Sequence, residues 1–170
     1  MLAYVVAGAA GAGKSTLGRA LAEAAGAVLL DLDTLTNPLL DAAFAALGEP
    51  GHWNDDRHHR AVRPARYAVL LDAASVQVAL GHDVVLVAPF TRELTGGPEW
   101  DRLLEAVAPA SCCVVWLDAP PPVLAERRRV RGEVRDRVDP SRVRVVPAVP
   151  HQVLDATLAT DAQVSLVLQA

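Results

Sequence analysis

Residues 8–15 read Gly8-Ala9-Ala10-Gly11-Ala12-Gly13-Lys14-Ser15 and fit the pattern G-x-x-x-x-G-K-[ST]. Before them, Leu2 to Ala7 is a short apolar run that reads as a buried strand. After them, Lys14 to Ala25 carries Leu17 and Leu21 at helical spacing. A glycine loop between a strand and a helix is the setting in which this pattern binds phosphate. Glycines let the backbone approach an anion and take positive φ. Successive N–H groups and the helix N-terminus then form an anion site. The amides of Ala10, Gly11, Ala12 and Gly13 are expected to line it, with Lys14 reaching the β- and γ-phosphates. The Ser15 hydroxyl is expected to hold Mg²⁺, and Thr16 to reach the α-phosphate. The expected ligands are ATP and Mg²⁺.

Working outward, short apolar strands alternate with helices. Ala27 to Leu30 reads as a second strand ending at Asp31. Leu35 to Leu47 reads as a helix interrupted by Pro38, and Arg60 to Leu80 as a long helix striped by Tyr67, Leu70, Leu71 and Ala74. Between them, Gly48 to Asp56 is rich in turn residues and reads as a loop. Strands over Asp83 to Ala88, Cys112 to Leu117 and Val153 to Asp155 alternate with helices over Trp100 to Val107, Pro121 to Arg131 and Thr160 to Leu168. The pattern predicts a three-layer α/β P-loop NTPase fold, with a central parallel sheet of five strands and helices on both faces. No linker divides the chain, so residues 1–170 are expected to form one domain.

At the end of the second strand stand Asp31 and Asp33, one residue apart. If the strand continues through them, alternation puts both carboxylates on one side. Ligands of open α/β sheets bind at the carboxyl ends of strands. Asp33 can then accept a proton from an acceptor hydroxyl, and Asp31 can bind Mg²⁺ through water. The competing reading is a helix N-cap before Thr34, a common role for aspartate.

The chain is unusual in its cations: of 16 basic residues, Lys14 is the only lysine. A GTPase of the Ras type needs a second lysine to read guanine, and a protein kinase needs one on its third strand. Both are excluded. Eight of the arginines fall in residues 127–144 (Arg127, Arg128, Arg129, Arg131, Arg135, Arg137, Arg142 and Arg144) against three acids, for a local net charge of +5 in a chain of net charge −4. Arg127 and Arg131 share a helix face, and Gly132 breaks the helix behind them. A lid that stabilises charge developing on the phosphoryl group fits this pattern. A nucleic-acid surface fits less well, because lysine and interleaved aromatics are lacking.

Other features exclude further classes. No run of 18 apolar residues is present, so no membrane helix is expected, and the cytoplasm is the default location. Cys112 and Cys113 are adjacent and point to opposite faces of a strand, so they are read as buried small residues. No Cys/His spacing suggests zinc. A monomer or a homodimer is expected.

Taken together, the loop, the acidic pair and the arginine-rich segment resemble the small P-loop kinases of the nucleoside-monophosphate-kinase-like superfamily. Within that group the chain looks like gluconate kinases and chloramphenicol phosphotransferases. Leu30-Asp31-Leu32-Asp33-Thr34-Leu35 resembles the gluconate-kinase segment after strand two. Gly48-Glu49-Pro50, followed by Asn54-Asp55-Asp56-Arg57, is similar to that family's G-x-P-L-x-D-x-D-R element, one residue longer here and without its following proline and tryptophan. Arg127-x-x-x-Arg131 is similar to the lid-entry arginines. The resemblance implies that Asp33 is the base, Arg57 a substrate contact, Arg127 a neighbour of adenine and Arg131 a phosphate contact. Arg63, Phe90, Arg92 and Arg135 are expected around the acceptor. Arg63 and Arg66 either face it or pair with carboxylates. Trp53 is either a cover over the acceptor or a packed loop anchor. Asp118 is either a further Mg²⁺ residue or a helix cap.

The activity implied is transfer of the γ-phosphoryl of Mg·ATP to a hydroxyl of a small molecule. A sugar acid follows from the gluconate-like segment, and an antibiotic from the likeness to chloramphenicol phosphotransferases. A polynucleotide 5′-hydroxyl kinase and a non-catalytic nucleotide switch are the alternatives.

Overall fold

The computed structural model describes residues 1–48, 52–131 and 146–170, and only the backbone at 56, 57 and 131. Five strands, β1 (Leu2–Gly8), β2 (Val28–Asp31), β3 (Val84–Val87), β4 (Ser111–Asp118) and β5 (Gln152–Asp155), form one sheet in the order β2-β3-β1-β4-β5. Every pairing is parallel. The helices are α1 (Lys14–Ala25), α2 (Leu32–Leu47), α3 (Asp56–Ala79), α4 (Pro98–Val107), α5 (Pro121–Arg131) and α6 (Thr160–Leu168).

Period-two alternation along the strands builds two cores. Ala3, Val5 and Ala7 of β1 face Leu70, Phe90 and Leu103. Tyr4 and Val6 face Leu17, Leu21 and Val164. Strands buried on both faces have no polar side, which is why they read as unbroken apolar runs. The expected three-layer sheet is therefore what forms.

Three helices differ from expectation, and α4 does so only by starting at Pro98 rather than Trp100. α2 starts at Leu32 rather than Leu35 and runs through Pro38. Pro38 removes one backbone donor but lies in the second turn, and the helix continues beyond it. α3 starts at Asp56, with Asp55 at its N-cap, and contains Pro64. Burial pushes the Cys112 thiol up to about 12, and the Cys113 thiol is raised by the same cause. Both cysteines are free, as packed residues of β4.

Candidate active site

The 2-3-1-4-5 order places the loop after β1 and the carboxyl ends of β2 and β3 on one sheet edge. This is where open α/β sheets bind ligands. Two groups of residues meet there.

The first group is built mainly from backbone. Gly13 caps α1 at φ 95°, a conformation that favours glycine, and no side chain caps the helix. No acid lies in its first turn, so the amide end is left to an anion. Lys14 Nζ donates to the Ala9 carbonyl at 2.9 Å, folded back along the loop. Ser15 and Thr16 are exposed. The α5 helix backs onto the loop: Arg127 donates to the Ala156 carbonyl at 3.0 Å and the Ala12 carbonyl at 3.5 Å. Arg128 donates to the Ala10 carbonyl at 3.2 Å. Arg129 instead forms an exposed pair with Glu126.

The second group is built from side chains. Asp31 ends β2 and caps α2: its Oδ1 accepts from the amides of Asp33 at 2.9 Å and Thr34 at 3.2 Å. The strand therefore stops at Asp31, and Asp33 belongs to the first turn of α2 rather than to a continuing strand face. This corrects the expectation of alternation. Capping and site placement coexist, because Asp31 Oδ2 accepts from the Ser15 hydroxyl at 2.7 Å. Ser15 and Asp31, the two residues expected at Mg²⁺, are thus in contact. A hydroxyl and a carboxylate are hard oxygen donors, and Mg²⁺ usually takes few protein ligands, so the pair suits that ion. No group of three or more His, Cys, Asp or Glu that could hold a metal ion occurs among the described residues.

Asp33 is held by Arg66, whose Nη2 donates to Asp33 Oδ1 at 2.6 Å and to Asn37 Oδ1 at 2.8 Å. Arg66 Nε donates to Thr36 Oγ1 at 2.8 Å. The Thr36 hydroxyl in turn donates to the Leu32 carbonyl, which leaves its oxygen to accept from Arg66. Arg66 is 7% exposed, while the Asp33 side chain is 45% exposed. The guanidinium is the buried anchor, and the carboxylate is presented outward. Trp53 stacks against Arg66 at 4.6 Å from ring centroid to Cζ. It is buried and donates to Asp41 Oδ1 at 2.6 Å, so it is the packed loop anchor of the two readings.

Arg63 pairs with buried Glu93, contacting both carboxylate oxygens at 2.8 and 2.9 Å, and lies 4.1 Å from the Tyr67 ring. Of its two readings, pairing with a carboxylate is the one found. Phe90 does not line an open surface: it is fully buried, at a left-handed φ of 48°, with its ring edge-on to Tyr67 at 5.8 Å. Its N–H donates to the Tyr67 hydroxyl at 3.0 Å. Burial first, and Glu93 second, push the Tyr67 phenol upward. Tyr67 is therefore a neutral clamp on the β3 exit. Arg92 is exposed beside it. The Arg57 and Arg131 side chains, Arg135 and the rest of the expected lid over 132–144 lie outside the described residues.

Asp118 ends β4, and its carbonyl accepts from the Ala156 amide at 2.7 Å. With Ala119, Pro120, Val153 and Asp155 it lines an open cavity of about 400 Å³ toward the β5 edge. The carboxylate that touches Ser15 is Asp31.

The sequence leaves Arg66 open between two readings, offers Arg128 only as one arginine of the expected lid, and does not single out Thr36 or Asn37. A signal existed for Arg66. It falls in the buried register of α3, one turn before Leu70, where a cation implies a buried partner.

Fold and site together define a P-loop nucleotide-binding protein with the fold of the small kinases. The family model of an AAA domain matches residues 4–160, and the chain belongs to that family. Among curated relatives, a shikimate kinase of Corynebacterium glutamicum is 36% identical over 120 residues, which is 68% of this chain. The match spans 57% of that relative's length. Among solved structures, a kinase candidate from Chloroflexus aurantiacus J-10-fl superposes with a TM-score of 0.71 at 23% identity, over 99% of this chain and 93% of its own. A gluconokinase from Sinorhizobium meliloti 1021 superposes with a TM-score of 0.56 at 24% identity, over 98% and 89%. The chain is thus similar in sequence to part of a shikimate kinase and shares the fold of the two solved kinases.

Proposed function

We propose that this chain is a single-domain kinase that moves the γ-phosphoryl of Mg·ATP to a hydroxyl of a small molecule. The observation that carries this reading is the continuous contact from the phosphate loop to a presented carboxylate. Ser15 bonds Asp31, Asp31 caps the turn that holds Asp33, and Arg66 fixes Asp33. Loop amides and Lys14 hold the phosphates of ATP. Ser15 and Asp31 would hold Mg²⁺, which when bound neutralises phosphate charge.

Asp33 accepts the proton of the acceptor hydroxyl as its oxygen bonds to the γ-phosphorus. The bond from that phosphorus to the bridging oxygen breaks, and ADP leaves with the electron pair. Most of the acceleration in such a site is positioning and electrostatics. A preset carboxylate beside a cradled phosphate supplies both.

The acceptor class we favour is a polyhydroxylated acid of the sugar-acid kind. Support comes from the gluconate-like Asp31–Asp33 segment and from the named activities of the two kinases above. An antibiotic hydroxyl is the second arm of the test. Such chemistry suits the cytoplasm, where ATP is supplied. The direct test is ADP release with Mg·ATP over gluconate, shikimate, other sugar acids, nucleosides, aminoglycosides and chloramphenicol. Stimulation by an acid is expected. Stimulation by oligonucleotides alone, falling steeply with salt, would mean a polynucleotide kinase instead. ADP release that no acceptor stimulates, with tight nucleotide binding, would mean a switch.

A further inference from the structure

The phosphate loop is touched from outside by α5. A Cβ added at Gly11, where φ is +86°, would lie 2.9 Å from the Leu124 carbonyl oxygen and 3.3 Å from Arg128 Cγ. The same arginine donates from Nη1 to the Ala10 carbonyl. Ala10 C=O and Gly11 N–H belong to one peptide plane, which is trans. In a trans peptide the carbonyl and the N–H point in opposite directions. Drawing the Ala10 oxygen toward α5 therefore turns the Gly11 N–H away from α5, toward the inside of the loop. Inside is where a phosphate is held, by N–H groups that must already be aimed.

We infer that Arg128 is a positioning residue of the nucleotide site, acting through the Ala10–Gly11 peptide to aim the Gly11 N–H at phosphate. Its bond to a backbone carbonyl separates it from Arg129, one residue on, which pairs with Glu126 at the surface. Ala9 O is already engaged by Lys14 and by the Ala12 amide, so the first turn of the loop has its own internal ties. Ala10 O is tied instead to another helix. The inference rests on the nucleotide reading above, and its test needs no acceptor.

The experiment measures Mg·ADP affinity by calorimetry and follows glycine-selective ¹⁵N resonances during the titration. R128M keeps the aliphatic stem against Gly11 and removes the guanidinium. It is expected to weaken Mg·ADP about tenfold, the scale of one charge-assisted hydrogen bond. R128K, which can still donate once, is expected to recover part of the loss. R129M removes the same charge without touching the loop and is expected to stay within about twofold. In R128M the Gly11 amide should lose most of its ADP-induced shift. Equal losses in R128M and R129M would show a charge effect only and overturn the inference. So would an unchanged affinity, or an unchanged Gly11 shift, in R128M. A wild-type chain that binds no Mg·ADP would overturn the nucleotide reading and this inference with it.

Discussion

The two halves of the site are made of different material. The nucleotide half is backbone: a glycine loop, an uncapped helix end and one lysine, all within residues 8–16. The half proposed for the acceptor is side chain: Asp33 held by Arg66 across 33 positions, and Glu93 held by Arg63 across 30. Backbone N–H groups serve any phosphate, so the first half is general. Paired side chains give a shape and a charge pattern, so the proposed function puts specificity in the second half. The bond from Ser15 to Asp31 joins the two halves.

Substitutions can separate the halves. The largest effect is expected from Lys14→Ala, which should lower ADP release in the acceptor screen by about 10³-fold or more. Unchanged turnover would remove the phosphate-loop assignment. Next, Asp33→Asn should lower acceptor-dependent turnover by about 10²–10³-fold, with Mg·ADP affinity kept within about twofold by calorimetry. A large loss of affinity would show that the halves are not separable at Asp33.

Glu93→Gln should leave Arg63 without its charge partner in a buried place and destabilise the fold by about 3 kcal/mol in urea. A change below about 0.5 kcal/mol would mean that water reaches the pair and that the β3 exit is looser than its burial implies. Asp31→Ala removes the α2 cap, costs about 1 kcal/mol, and should raise the Mg²⁺ concentration needed for half-maximal turnover. Loss of stability without a changed Mg²⁺ requirement would make Asp31 a cap alone.

The smallest effect concerns β4. Cys112, with its thiol pushed up to about 12, stays protonated in the fold and should react slowly with a disulfide reagent at pH 8 until the chain unfolds. A raised thiol adds stability that is whole below its unfolded value of 9.0 and is lost as pH rises toward about 12. A rapid reaction in native buffer would contradict that burial.

Legibility follows the same division. The helices over Lys14–Ala25 and Thr160–Leu168 match the sequence reading to the residue, and α5 starts at Pro121 as read, because glycine, proline and apolar spacing mark these ends locally. The sequence pattern starts α2 three residues late, at Leu35, since Asp31-Leu32-Asp33 looks the same whether a strand goes on or a cap begins. The deciding fact is that Asp31 bonds the amides of Asp33 and Thr34. Phe90 looked like a pocket residue from its place at a strand end, but Tyr67 takes its amide and its ring.

The chain by itself determined the layers, the strand count and the phosphate loop, because each depends on periodicity or on neighbours within a few residues. Only the tertiary structure decided which arginine serves which carboxylate. Arg63 and Arg66 are three residues apart on one helix, yet one bonds Glu93 at the β3 exit and the other bonds Asp33 at the start of α2. An ion pair is selected by distance in space, and spacing along the chain does not encode that distance until the sheet has brought β2 and β3 side by side.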